Sequence, residues 1–399
     1  MGRKPSSRRA PRGQSTFADF LDRMARRAEA QDPRGQATGL FFVVLALLGL
    51  GLLVHFAYDA TVLRPPEFKA AVRSQLIFRG LALGALLLGY RLGPQGIRPA
   101  LPFLTLVSGV LLLLCFAPGI GVMKNGSHRW VDLGIVFQPS EVARMVVVLW
   151  IADRCVRLGP RVYDLRRGIL PMLGLGFAFF FLILIETDLG GAMLLFICVL
   201  STMWVGGARP LPMALSLFTV GGGALTLATL TIPYIRDRVA VFLGSMQNEQ
   251  VSETLAALAS GGALGQGFTH GGARLAAVPY LQSDYVFAQI GEELGLFGLF
   301  LVLGLFSAFL WYGLRLVLST AGRFEALAAF GLLISVGLQA MLHVQVVAGL
   351  APPKGMTLPF LSDGGTSLVV SSLAVGLALG VARRPPQESL SCNPSNATA

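Results

Sequence analysis

The sequence predicts an all-α polytopic membrane protein with ten transmembrane helices, and three observations carry that prediction. The 399-residue chain is 54% hydrophobic and only 13% charged, about half the charged share of an ordinary soluble domain. Its mean hydropathy is +0.67. Nearly all of its length divides into apolar runs close to the roughly 20 residues that cross a bilayer as a helix. A membrane β-barrel would instead show short alternating segments.

Residues 1–38 form a polar tail with nine Lys/Arg, in which 17–30 has the pattern of a short interfacial helix. Spans follow at 39–58, 73–90, 100–117, 139–156, 169–186, 189–206, 211–234, 286–314, 325–347 and 364–382. Together 39–384 make one membrane domain. One long loop, 235–285, separates the seventh and eighth spans. Residues 385–399 are rich in Pro, Ser and Asn and are expected to be disordered. No signal peptidase site precedes the first span, which should therefore be retained.

Basic residues set the orientation. With the N-terminus inside, 21 of the 32 Lys/Arg fall on the inner segments 1–38, 91–99, 154–168, 206–210, 315–324 and 383–399. Both termini are thus expected in the cytoplasm and the 235–285 loop outside. The net charge of +11 then reads as attraction to anionic membrane lipids rather than to nucleic acid. The four cysteines have no CxxC spacing and the four histidines no ligand spacing, which argues against a disulfide framework and a structural zinc site.

That orientation gathers the polar motifs on the outer face. Asp284 stands where the long loop ends and the eighth apolar run begins, with Glu292 and Glu293 two turns deeper. Ionisable groups in a span are costly and mark function by default. On one continuous helix, Gly291, Gly295 and Gly298 would share the Asp284 face and let a neighbour pack closely. Asp284 reads either as a positioned general base or as a helix cap. Gln138-Pro139-Ser140-Glu141 starts the fourth span, where Pro and an acid suit a helix start, and Arg144 is spaced to pair with Glu141. Arg129 and Trp130 add a cation beside an interfacial aromatic. Asp188 is expected to cap a tight turn. Lys354 sits in a Pro- and Gly-stiffened loop, as a point charge for phosphate would. Ser362, Gly364 and Gly365 open the last span, where free amides receive anions, although Asp363 opposes that. One base and several cations (Arg129, Arg144, Lys354, with Arg274 as a fourth) fit a lipid-linked diphosphate substrate.

KNGSHRWVDLG (124–134), QPSEVAR (138–144), ETDLGG (186–191), ASGGALGQG (259–267), VPYLQSDYVFAQIGEELG (278–295) and PPKGMTLPFLSDGGTS (352–367) occur in one order over residues 40–384. In these six stretches the chain resembles the SEDS family of bacterial shape, elongation, division and sporulation proteins, and its division branch more than its elongation branch. The resemblance implies a peptidoglycan glycosyltransferase that polymerises lipid II at the outer face of the bacterial cytoplasmic membrane. It implies partnership with a class B penicillin-binding protein and other membrane proteins of the division machinery. It places the family's essential aspartate on Asp284 and its substrate-handling positions on Gln138 to Glu141, with Arg144 where the family has Lys. No organic cofactor is implied; a divalent cation, Mg or Mn, is compatible with the diphosphate. The chain departs from the pattern at Asp363, where the family has Tyr, and at Thr366 and Tyr280 to Gln282. A lipid II flippase, a non-catalytic scaffold for division and an elongation role stand as alternatives. A flippase would need polar groups along the inner halves of the spans, which are almost wholly apolar.

Overall fold

The computed structural model describes residues 32–124, 127–245, 249–268 and 281–383. Residues 1–31 of the basic tail, with the short helix expected at 17–30, the C-terminal tail 385–399 and Arg274 lie outside the described residues. Within them, helices occupy each of the ten stretches expected to cross the membrane. Seven helical stretches are long and apolar enough to do so by length and composition, the bent stretch Pro65–Leu114 being taken as one.

Helix α1 (Pro33–Val62) begins within the segment expected to be tail. Asp32 caps it by accepting from the Arg34 amide at 2.9 Å, and Pro33 takes the first turn, where its missing N–H costs nothing. Helix α2 (Pro65–Ile97) bends at Gly93 (φ 60°) and Pro94. Pro94 cannot donate to the Tyr90 carbonyl four residues back, and Arg383 Nη1 donates there instead at 3.5 Å. Helix α3 (Leu101–Leu114) has only 14 residues, shorter than the span expected at 100–117.

A small antiparallel sheet follows, β1 (Gly121–Lys124), β2 (Ser127–Asp132) and β3 (Val136–Phe137), in that order. The all-α reading omitted it because its strands are too short to show an alternation. Next come α4 (Pro139–Leu158), α5 (Leu170–Ile185), α6 (Leu189–Val205) and α7 (Pro210–Thr231). Helix α5 ends at Ile185, so Glu186 lies in the turn beyond it.

The 235–285 stretch, expected as a loop, is largely helical where described: α8 (Pro233–Phe242), α9 (Glu249–Ser260) and the single turn α10 (Leu281–Asp284). The chain closes with α11 (Val286–Leu318), α12 (Arg323–Val347) and α13 (Gly365–Leu379). Helix α12 is central, packed on α4, α6, α11 and α13. Helices α2 and α13 meet through Gly89, where a Cβ would lie 2.6 Å from the Leu373 carbonyl oxygen.

The glycine stripe on α11 works differently from the expectation. Asp284 is not on the same helix: Tyr285 (φ −133°, ψ 25°) breaks α10 from α11. Gly295 (φ 64°) then kinks α11 itself. The kink frees backbone groups that lipid could not satisfy, and the Gly-rich segment after α9 satisfies them. The amides of Gln266 and Gly267 donate to the carbonyls of Glu292 and Glu293 at 2.9 and 3.0 Å, and the Leu296 amide donates to the Gly262 carbonyl at 3.0 Å. The small residues admit the loop backbone after α9 at Gly295 and the Leu258 side chain of α9 itself at Gly291.

Candidate active site

At one end of the bundle, β1–β3, α10 and the loop between α12 and α13 enclose a cavity of about 660 Å³. Into it come Arg129, Trp130, Gln138, Glu141, Arg144, Asp188, Asp284, Lys354, Gly364 and Gly365, from six separate segments.

Asp284 ends α10, and that turn is pinned on two sides. The Asp363 amide donates to the Gln282 carbonyl at 3.0 Å. Gln282 Nε2 donates to Asp59 Oδ1, near the end of α1, at 2.9 Å. Gly355 lies against the carboxylate, for a Cβ there would sit 2.6 Å from Oδ2. Burial pushes the Asp284 carboxyl above the ordinary Asp value, while Arg129, a Ser283 hydrogen bond, Arg238 and Lys354 pull it back. Tyr285 stands at the N-cap position of α11, and its side chain makes no capping hydrogen bond.

Lys354 is not a lone point charge. Its Nζ lies 2.9 Å from Asp188 Oδ1, with Asp188 almost fully buried. Asp188 also accepts from the Gly191 amide at 2.8 Å, capping α6, and from Gln138 Nε2 at 3.1 Å. Burial alone would raise its pKa; Lys354 and Arg129 outweigh burial and hold the carboxylate well below its ordinary range. The cap therefore doubles as the counter-ion of the lysine.

Arg144 does not pair with Glu141 as the spacing suggested. Its Nη2 donates to Gln339 Oε1 at 2.5 Å, because Gln339 on α12 faces it at the same depth. Gln339 Nε2 in turn donates to the Thr357 carbonyl at 3.0 Å. Glu141 Oε2 is buried and meets no hydrogen-bond donor among the described residues. Arg129 stacks over the Trp130 ring at 4.5 Å, and its buried Nε meets no acceptor among the described residues.

Ser362 does not face the cavity. Its hydroxyl accepts from the Leu358 amide at 2.8 Å and closes the turn before α13. Glu292 and Glu293 are buried in α11 away from the cavity lining; Gln289 Nε2 donates to Glu293 Oε1 at 2.8 Å. Asp363 lines the cavity, and the cation that offsets it is Arg79, buried on α2 within electrostatic reach of Asp363 and Asp59.

Gln339 and Arg238 are not singled out in the sequence, and Gly355 reads there only as part of the stiffened lysine loop. Arg238 Nη1 donates to the Pro353 carbonyl at 2.5 Å, holding the lysine loop from above. His343 Nδ1 contacts the Met356 carbonyl oxygen at 2.6 Å and holds it from α12. A lone amide or imidazole in an apolar run was the available signal. Three cations (Arg129, Arg144, Lys354) thus face four carboxylates (Glu141, Asp188, Asp284, Asp363). Among the described residues no three His, Cys, Asp or Glu groups converge as a metal cage. A Mg or Mn ion here would rely on diphosphate oxygens and water, as Mg commonly does.

Residues 38–386 match the family of cell cycle proteins that comprises FtsW, RodA and SpoVE. The chain belongs to that family. It is 31% identical to stage V sporulation protein E of Bacillus subtilis, over 86% of this chain and 96% of that protein. It is 36% identical to the probable peptidoglycan glycosyltransferase FtsW of Thioalkalivibrio sulfidiphilus, over 86% and 89%. Among solved structures, a chain of a peptidoglycan synthase complex that coordinates polymerization and crosslinking superposes with a TM-score of 0.70 at 28% identity, covering 86% of this chain and 97% of that one. The rod shape determining protein RodA of Thermus thermophilus gives 0.64 at 25% identity, covering 86% and 96%. This member of the FtsW/RodA/SpoVE family is therefore a mainly helical, multi-pass membrane protein.

Proposed function

We propose that the chain is a peptidoglycan glycosyltransferase that polymerises lipid II into glycan strands. The observation that carries this reading is the single cavity in which the Asp284 carboxylate meets Arg129, Arg144 and Lys354. A sugar hydroxyl is a poor nucleophile until its proton is removed. Asp284, half-buried with a raised pKa, is suited to take that proton as the acceptor oxygen attacks the anomeric carbon of the donor. The bond to the polyprenyl diphosphate then breaks, and negative charge grows on the leaving phosphate. Arg129, whose Nε has no acceptor among the described residues, is placed to stabilise that charge, with Arg144 as a second donor. Lys354 contributes less net charge than a free lysine because Asp188 accompanies it.

In this reading ten helices cross the cytoplasmic membrane, both termini lie in the cytoplasm, and the cavity opens outside, where the crosslinking partner works. That partner is a class B penicillin-binding protein, the setting is the division septum together with other division proteins, and the division role is preferred to elongation. Support comes from the basic bias of the opposite end and from several FtsW-named relatives. The test is polymerisation of purified lipid II by the purified protein with its transpeptidase partner. Long glycan strands are expected; movement of lipid II across vesicle membranes without polymer would favour a flippase.

A further inference from the structure

At the end of the bundle opposite the catalytic cavity, three grooves meet around one arginine. The largest, about 650 Å³, runs between α1, α2 and the end of α13, walled by Phe41, Phe42, Leu86, Leu87 and Leu379, with Arg34 and Arg383 at its mouth. A second, about 540 Å³, lies across the Tyr90 ridge, with Leu87, Leu88, Arg91 and Arg383 on its walls. The third and smallest also contains Arg91 and Arg383, together with the acid Glu325, which Gln95 holds by a 2.7 Å hydrogen bond.

Arg383 is fixed there by the bend in α2. Its guanidinium lies 5.6 Å from the Tyr90 ring centroid, and Nη1 donates to the Tyr90 and Arg91 carbonyls. Those bonds use one nitrogen of a group with five N–H donors. Arg34 makes no side-chain hydrogen bond or ion pair among the described residues, and it is exposed at the start of α1. From Arg34 to Phe42 is eight residues, roughly 12 Å along a helix, so the basic mouth of the largest groove sits about half an acyl chain above its apolar wall.

A lipid-facing groove cannot remain empty without forfeiting the contacts of its lining, and a hydrocarbon chain suits walls of Phe and Leu. Arginines at its mouth select the headgroup, because guanidinium and phosphate match in geometry and charge. We infer that the grooves flanking Tyr90 form a binding site for an anionic phospholipid, its acyl chains against Phe42 and Leu87 and its phosphate between Arg34, Arg91 and Arg383. The site is separate from the cavity that holds Asp284 and does not depend on the proposed reaction.

The test is native mass spectrometry of the full-length protein released from nanodiscs of equimolar phosphatidylglycerol and phosphatidylcholine. Phosphatidylglycerol should be retained preferentially, and Arg34→Gln should cut that preference about fivefold, Arg34→Gln/Arg383→Gln further. Arg209→Gln, at a basic position remote from the grooves, should leave it unchanged. The Arg34 single variant breaks no side-chain hydrogen bond or ion pair of the described residues, so it answers even if the double variant does not fold. Equal retention of the two lipids, or a preference unmoved by Arg34→Gln, would overturn the site. So would displacement of phosphatidylglycerol by an equal amount of polyprenyl diphosphate, since the groove would then belong to the substrate lipid.

Discussion

Gly355 lets the backbone of the lysine loop rest against the Asp284 carboxylate: a Cβ at this position would lie 2.6 Å from Oδ2 and 3.3 Å from Cγ. The two residues are 71 positions apart in sequence, yet the contact sets where the carboxylate stands relative to Lys354 and Arg129. Gly355→Ala should therefore displace Asp284 by a few tenths of an ångström to an ångström. A shift of that size costs up to about 100-fold in rate. Polymerisation should fall by roughly 10- to 100-fold with yield and melting temperature little changed.

The Asp188–Lys354 pair should behave as one unit. Removing one member of a buried pair typically costs about 3–5 kcal/mol, because the other charge is left alone. Asp188→Asn and Lys354→Met should each lower the melting temperature in detergent. The double variant Asp188→Leu/Lys354→Met should recover much of that loss but not the activity. Because the folded pKa of Asp188 is depressed, its stabilisation is present above the ordinary Asp value and disappears as pH falls through the folded one. A double variant whose loss equals the sum of the two single losses would show that the two side chains act independently.

Glu186 predicts the opposite sign. It is fully buried in the turn after α5, and burial first, then Asp188, pushes its carboxyl up to about 8. Between the unfolded value near 4.5 and the folded value the native state holds the extra proton, so stability declines as pH rises through that window and levels off above it. Glu186→Gln should remove the decline and stabilise the protein at pH 8 to 9 by on the order of 2–4 kcal/mol. Parallel melting curves against pH for the two proteins would contradict a protonated Glu186.

Topology is open to a direct check. Reporter fusions after Arg166 and after Arg383 should read as cytoplasmic, and one placed within residues 249–260 as external. The bias of basic residues toward one side motivates the expectation. An external reading after Arg166 would invert the whole arrangement.

How much was legible beforehand follows from which signals are local. Apolar runs are local, so helices stand where they were expected, and α12 at Arg323–Val347 matches 325–347 within two residues. Six motif stretches named nearly every cavity residue. Contacts across segments carry no such signal. Arg144 was assigned to Glu141 by helical spacing, but Gln339, 195 positions away, takes it. Lys354 reads in the sequence as a point charge for phosphate, whereas the fold pairs it with Asp188. The glycines of α11 correctly signalled close approach but not the partner, a loop that repairs the break at Gly295. Arg79 and Asp59 look like isolated charges in apolar runs until the fold brings them to Asp363 and Gln282.

The account rests on Asp284 as a base, and general-base assistance typically contributes about 10² to 10⁴ in rate. Asn keeps the size and hydrogen bonding of Asp but cannot accept the proton. A second consequence is the pH profile: a carboxyl raised by burial loses its basic form as pH falls, so the acidic limb of polymerisation should lie above the ordinary Asp value of 3.8. The most direct measurement is the rate of lipid II polymerisation by purified Asp284→Asn protein, reconstituted with its transpeptidase partner beside the wild type. The account predicts a loss of at least 100-fold with melting temperature and partner binding retained. Polymerisation by the Asn variant at near the wild-type rate would contradict it.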